Sequence, residues 1–195
     1  MSILTGQEII NQISNKHIKI GNFDKTKIYQ NSYAITLGNK ISFYSLTDYA
    51  VQIGQISKDS TFENYGMIAV EKPNDNNNCG YIRAVPYLDS MRENTMLVKN
   101  IPDDGYILLP RILYIVETNE SIWSDKYLAE VSCIPHLSRL GITINTSSGY
   151  TNITNDFKYI LTVEVVHPIK IYKGMKIGQV YFHTIERWIK YLNNK

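Results

Sequence analysis

Strand-like runs recur along this chain at roughly eight-to-twelve-residue spacing, and that rhythm is the signature of an antiparallel β barrel or sandwich. The runs are rich in β-branched and aromatic residues. They cover Tyr33 to Leu37, Ile41 to Tyr44, Tyr106 to Leu109, Ile112 to Glu117, Tyr127 to Cys133 and Tyr159 to Val166, with Ile18 to Phe23 as a weaker alternating stretch. Gly38-Asn39 is a turn signal between the first two, and Pro110-Arg111 turns the chain between the next two. Two segments carry a helical period instead. Thr5-Gly6-Gln7-Glu8 has the form of a capping box, in which Thr5 takes an amide three residues on and Glu8 reaches back to Thr5. Ile9, Ile10 and Ile13 follow on one face, which predicts a short helix to about Ser14. At the other end Ile185, Trp188, Ile189 and Leu192 form an apolar stripe behind Thr184, which predicts a short amphipathic helix over 184–193.

With 195 residues and 44% hydrophobic content, the chain is long enough for a single domain, 1–195, with a real core. Periodicity is lost between 57 and 89. The tract Pro73-Asn-Asp-Asn-Asn-Asn-Cys-Gly80 reads as an insertion or exposed loop and as the expected site of disorder. A net charge of +2 gives no reason to expect a nucleic-acid polymer as partner. No run of about 18 apolar residues is present, so no membrane span is expected. Met1 to Thr5 lacks the basic and apolar regions of a signal peptide, and the expected location is cytoplasmic. Cys79 and Cys133 are then two thiols, and with His167 and His183 they lack zinc-ligand spacing, so no metal site is expected.

The residue that stands out chemically is Glu164. It is a carboxylate inside the otherwise apolar, β-branched run from Tyr159 to Val166. An unpaired charge is costly to bury, so Glu164 faces water, has a partner such as Arg139 or Lys170, or does chemistry.

An ordered series of segments resembles the dCTP deaminases, within the wider dUTPase-like group. Met1-Ser-Ile-Leu-Thr-Gly6 is like that family's opening, and Asn31-Ser-Tyr33 with Leu37-Gly38 is similar to its first motif. Gly105-Tyr-Ile-Leu-Leu-Pro110, Tyr114 and Thr118-Asn-Glu120 resemble the strand pair before the second motif, which ends in Arg139-Leu-Gly141. Ser148-Gly-Tyr150, Phe157 and Thr162-Val-Glu164 resemble the third motif, and Pro168 to His183 the fourth. The resemblance implies a distorted, jelly-roll-like β barrel that assembles as a homotrimer with sites at subunit interfaces. It implies zinc-independent chemistry, with Glu164 activating water for attack at cytosine C4 and Arg139 holding that site. Main-chain groups of Thr146, Ser147 and Ser148 would recognise the base, and Mg2+ would arrive with the nucleoside triphosphate. The zinc route to the same reaction needs His-x-Glu and Pro-Cys-x-x-Cys, which two cysteines this far apart do not supply.

The departures from that pattern cluster in the motifs. An Arg-Ser-Ser triplet is replaced by Ile134-Pro135-His136, the first-motif Asp by Ala34 and the third-motif Asp by Asn152. Two extra residues precede Phe157, and an amphipathic stripe stands where the family has a Gly-rich arm. Losing one donor beside a reacting group lowers rate by about 10²–10³. The first expectation is therefore a nucleotide-binding protein with a dismantled pocket, binding a nucleotide or a protein partner at trimer interfaces. The alternative is a working deaminase, dCTP and water to dUTP and ammonia, with a rebuilt pocket in which His136 and Asn152 are replacement ligand groups. His136 suits a new acid or base by its chemistry, but a single His after Pro is more often a plain surface or packing residue. A third reading is a phage or mobile-element protein that sequesters a signalling nucleotide or a host factor.

Overall fold

The computed structural model describes residues 2–44, 87–146 and 157–185, together with the backbone of 67–71 and 79–83. Among these, twelve strands and two α-helices are formed. The strands are β1 (Ile18–Ile20), β2 (Tyr33–Tyr44), β3 (Met67–Glu71), β4 (Cys79–Arg83), β5 (Met96–Asn100), β6 (Tyr106–Leu108), β7 (Tyr114–Ser124), β8 (Tyr127–Cys133), β9 (Ile142–Thr146), β10 (Phe157–Val165), β11 (Ile169–Ile171) and β12 (Lys176–Thr184). The helices are α1 (Gly6–Ser14) and α2 (Pro135–Arg139). The main sheet runs β8-β12-β2-β7-β10-β9, with β1 added to β7 and β5 added to β2. Its two outer strands meet. The Cys133 thiol donates to the Ile142 carbonyl at 3.6 Å, joining the end of β8 to the start of β9. A Cβ on Gly178 would sit 3.0 Å from Ile144 and 3.1 Å from the Ser132 carbonyl, so β9 and β8 both press on β12 there. The result is a nearly closed antiparallel barrel, as the strand rhythm predicts.

Alternation fills that barrel. On β7, Tyr114, Val116, Thr118, Glu120, Ile122 and Ser124 point inward. They meet Tyr33, Ile35, Leu37, Ile41 and Phe43 of β2, Leu161 and Val163 of β10, and Val180 and Phe182 of β12. Each large apolar side chain removed from water in this way contributes about 1.5–3 kcal/mol.

One inward position carries a charge. Glu120 is fully buried. Its carboxylate accepts from the Thr36 amide and hydroxyl, both at 2.8 Å, and from Lys27 Nζ at 2.6 Å. Asn119 adds bonds to Thr36 Oγ1 (3.1 Å) and to the Leu37 carbonyl (2.9 Å), while Asn22 donates to the Asn119 carbonyl (2.9 Å). Thr118 donates to the Glu120 carbonyl at 2.8 Å and accepts the Tyr159 amide at 3.0 Å. Residues 22–27 are thereby laced across β2 and β7. Lys27 closes a 3-10 turn whose cap is Asp24. The Asp24 amide donates to the Tyr33 hydroxyl at 3.0 Å, and Tyr33 stacks on Phe23. Burial pushes the Tyr33 hydroxyl up to about 12, with the nearby Glu120 charge acting the same way against the Asp24 amide bond.

Several expectations are corrected by tertiary contacts. The turn expected at Gly38-Asn39 is a bulge inside one continuous strand, Tyr33–Tyr44, and the β2–β7 register shifts between Leu37 and Ile41. A Cβ on Gly38 would lie 2.7 Å from the Glu117 carbonyl, so the glycine permits close approach rather than reversal. The strand expected to end at Glu117 runs on to Ser124, because Thr118, Asn119 and Glu120 are all hydrogen-bonded within the fold. The strand expected to reach Phe23 ends at Ile20, where the chain turns through Asn22 at φ 55°. The 57–89 region contains a hairpin, β3 paired with β4 from Met67↔Arg83 to Glu71↔Cys79, while residues 72–78 lie outside the described residues. α1 forms as expected, with the Thr5 hydroxyl accepting from the Glu8 amide at 3.2 Å. The Glu8 carboxylate, however, bonds Asn11 and Gln12 instead of returning to Thr5. The amphipathic stripe over 186–193 lies outside the described residues. Its expected cap, Thr184, closes β12 instead and bonds Ser2 in both directions, at 2.9 and 3.0 Å. Among the described residues no helix is long and apolar enough to cross a membrane.

Lys27→Met leaves the Glu120 carboxylate buried without its cation and is expected to lower unfolding free energy by about 3 kcal/mol, read from urea denaturation. Tyr33 generates a second expectation. Its hydroxyl ionises near 12 in the fold against 10.0 for a free phenol, so the stability it contributes is complete below pH 10 and is lost as pH rises through 12. An ultraviolet phenolate titration combined with melting curves above pH 10 measures both.

Candidate functional site

Strands β9 and β10 form one wall of the barrel, in register from Leu161↔Thr146 to Val165↔Ile142. Val163 and Val165 are buried, so the pleat turns Glu164 to the opposite, outer face, where it is exposed beside Thr143. Ile160 and Val166 share that outer face and are also exposed.

Arg139 reaches the same end of this wall by a different route. After β8, Pro135 starts α2 at the first helical position, where its missing N–H is harmless. The helix lasts five residues and ends at Arg139. It stops because Gly141 turns left-handed at φ 84°, with the Leu140 and Gly141 amides returning to Leu137 and Ser138 at 3.0 Å. The Gly141 carbonyl then accepts the Val166 amide at 3.0 Å. That bond ties the residue two beyond Arg139 to the residue two beyond Glu164. The backbones carrying the two groups therefore share one end of the wall, but among the described residues neither side chain has an ion pair or hydrogen bond. Lys170 is not the partner of Glu164 either. It lies 3.8 Å from Asp104 and over the Tyr172 ring.

The other candidate residues are not gathered at this end, and Thr146 stands at the opposite end of β9. Thr146 is the last residue of β9, half-buried and opposite Leu161. Ser147, Ser148 and Asn152 lie outside the described residues. His136 is exposed on α2 and has no hydrogen bond or ion pair among the described residues. Ile134 caps α2 with no side-chain bond, so positions 134–136 bring no hydroxyl to this helix start. Ala34 is fully buried and sits opposite Gln179. Gln179 was not among the candidates. It is half-buried, accepts from Ser32 at 3.2 Å and donates to Tyr181 at 2.5 Å. Its signal was an amide two residues before a tyrosine, on the face of β12 opposite the buried Val180 and Phe182. Glu120 was also overlooked as a buried group, although alternation with Val116, Thr118 and Ile122 places it inward. Among the described residues no three His, Cys, Asp or Glu side chains come together as a metal-binding set.

The chain belongs to the dCTP deaminase-like family, whose profile matches residues 3–185. It is 30% identical over 199 residues to a Clostridium beijerinckii protein named dCTP deaminase, dUMP-forming, spanning 99% of this chain and 92% of that one. A Clostridium acetobutylicum protein of the same name is 35% identical over 116 residues, covering 55% of this chain and 66% of its own. The fold also matches a crystal structure of the 2'-deoxycytidine 5'-triphosphate deaminase from Agrobacterium tumefaciens, with a TM-score of 0.59 and 14% identity. That match covers 94% of this chain and 48% of the Agrobacterium chain, so this chain spans about half its length.

Gly141→Ala forces a left-handed turn on a residue with a Cβ, which would also lie 3.1 Å from Val166 Cβ. The expected loss is about 1–2 kcal/mol from the backbone alone, measured by chemical denaturation.

Proposed function

We propose that this chain is a zinc-independent dCTP deaminase that acts at a face shared between copies of a homotrimer and releases dUMP. The observation that carries this reading is the exposed Glu164 carboxylate, without a partner among the described residues, on a wall shared with Arg139, in a chain matched to the dCTP deaminase-like family over 3–185. Glu164 takes a proton from water as its oxygen attacks C4 of cytosine, and returns a proton to the departing ammonia. A second water cleaves the phosphate chain, so dCTP and two waters give dUMP, ammonia and pyrophosphate. The dUMP-forming names of the relatives support that second step. Mg2+ enters as part of the triphosphate substrate. Arg139 steadies the developing charge, the segment from Thr146 through Ser147 and Ser148 to Asn152 holds the base, and His136 supplies a replacement polar group.

A general base works best when its surroundings are dry enough to tune it. In one copy Glu164 is open to water. A neighbouring copy laid over the exposed Ile160, Val166 and Leu140 would close the site and bury apolar surface in the same step. That is the physical case for a shared face.

A second reading is favoured by one specific observation. Ile134-Pro135-His136 and the buried Ala34 present no guanidinium, hydroxyl or carboxylate where the resembled pattern has them. In that case the nucleotide is held without turnover.

Incubation of the purified protein with Mg2+ and dCTP separates the two. The expected result is release of ammonia and pyrophosphate in equal amounts with dUMP as the nucleotide product. Glu164→Gln should slow this about a hundredfold or more while light scattering still reports a trimer. A dCTP-induced rise in melting temperature with no ammonia released would establish the binding-only reading, and a monomer with neither would sink both.

A further inference from the structure

At the far end of β7 from Glu164 lies a second cluster of ionisable groups. β10 pairs Val163 with Tyr114, while the cluster begins after Ser124, ten residues and about 30 Å further along the strand. His17 Nδ1 lies 3.1 Å from both carboxylate oxygens of Asp125. Its other ring nitrogen, Nε2, lies 2.7 Å from Lys126 Nζ. A lysine ammonium donates and never accepts. Nε2 must therefore be the accepting nitrogen, and the ring proton sits on Nδ1, donated to Asp125. The three residues form a line: carboxylate, imidazole, amine.

The array is held from below by backbone bonds. β1 pairs with β7 from Ile18↔Ser124 to Ile20↔Ile122, which sets His17 against the β7–β8 turn. The buried Ser124 hydroxyl donates to the His17 carbonyl at 2.9 Å and accepts the amides of Lys126 and Tyr127 at 3.3 and 3.0 Å. The Asp125 amide also donates to the His17 carbonyl, at 3.3 Å. The turn and the α1–β1 corner are thus locked together, and Lys126 remains exposed.

We propose that Lys126 is a self-acylating lysine, with His17 as its general base and Asp125 as the residue that orients and stabilises the imidazole. Its substrates are activated acyl groups, acyl phosphates or thioesters. Lys126 reacts as the free amine, its ammonium having first released one proton to solvent, and the nitrogen lone pair attacks the acyl carbonyl carbon while a remaining N–H still donates to His17 Nε2. A C–N bond forms, and the C–O bond to phosphate or the C–S bond to the thiol breaks. The proton shed by the attacking nitrogen passes to His17 Nε2 and then to the departing phosphate or thiolate. The imidazolium that exists in between is stabilised by Asp125. The products are an Nε-acyl-lysine and free phosphate or thiol. The inference does not depend on the deaminase reading, because none of the three residues belongs to that wall.

A positioned base contributes about 10²–10⁴ in rate, so a partial effect is readily seen. The test incubates the full chain with acetyl phosphate, and in a separate arm with acetyl-coenzyme A, and follows acetylation of each lysine by peptide mass spectrometry. The internal standards are Lys16 and Lys40, both exposed. Lys126 is expected to react roughly fivefold or more faster than either standard with at least one donor. His17→Gln should bring it down to the rate of the standards, with the melting temperature recorded to verify folding. Should His17→Gln fail to fold, Asp125→Asn serves as the second variant and should slow Lys126 while leaving Lys16 and Lys40 unchanged. A smaller preference with both donors, or a preference that survives in the folded variants, overturns the proposal.

Discussion

The buried carboxylate of Glu120 is the constraint around which the rest of this barrel is arranged. A carboxylate with no access to water is tolerable only when its oxygens are occupied, and here three donors occupy them. Meeting that demand sets several features at once. The Thr36 amide and hydroxyl must face Glu120, which sets how β2 lies against β7. Lys27 must fold inward, which brings the 22–27 segment over the two central strands. Asn119 and Asn22 then take up the neighbouring carbonyls. β2 and β7 are the middle of the sheet order, so a register set there propagates outward to β12 and β10.

The chain divides its polar groups between the inside and the outside of the barrel, and the two sets obey different rules. Inside, each charge or hydroxyl named above has a partner within hydrogen-bonding distance. On the outer wall of β9 and β10, Glu164 is left open among Ile160 and Val166, and Arg139 is brought near by a five-residue helix and one left-handed glycine. An open carboxylate among exposed apolar side chains gains nothing for the stability of a single copy. Its placement makes sense for a site that is completed by something else, a nucleotide and a second copy of the chain in the reading argued above. Of the departures, Ile134-Pro135-His136 begin the helix that carries Arg139, whereas Ala34 is buried on β2 opposite Gln179.

Legibility in the sequence followed the range of the forces involved. α1 could be read from Thr5 and three isoleucines because capping and amphipathic period act within a few residues. β8 could be read from Tyr127 to Cys133 for the same reason, and Glu164 stood out because a charge in a β-branched run is a local anomaly. What misled were positions whose meaning depends on a distant neighbour. Gly38-Asn39 has the composition of a turn, yet Gly38 is required because the Glu117 carbonyl lies against it. Thr118-Asn119-Glu120 looks like the polar end of a strand, yet it is the polar middle of one, because Thr36 and Lys27 come from elsewhere to meet it. β9 was hidden because three of its five residues are polar and its alternation is too short to stand out, and pairing with β10 makes it a strand.

By itself, then, the sequence determined the class of fold, the chemistry available and the motif order that ties the chain to its family, since strand period, residue type and spacing are properties of the chain alone. The tertiary structure alone decided that Glu120 and not Glu164 is the buried carboxylate, and that Arg139 and Glu164 share one end of a wall with no partner for either among the described residues. Both outcomes turn on which face of a pleat meets which distant strand. A pleat has two faces that the local sequence treats alike, and only barrel closure distinguishes inside from outside.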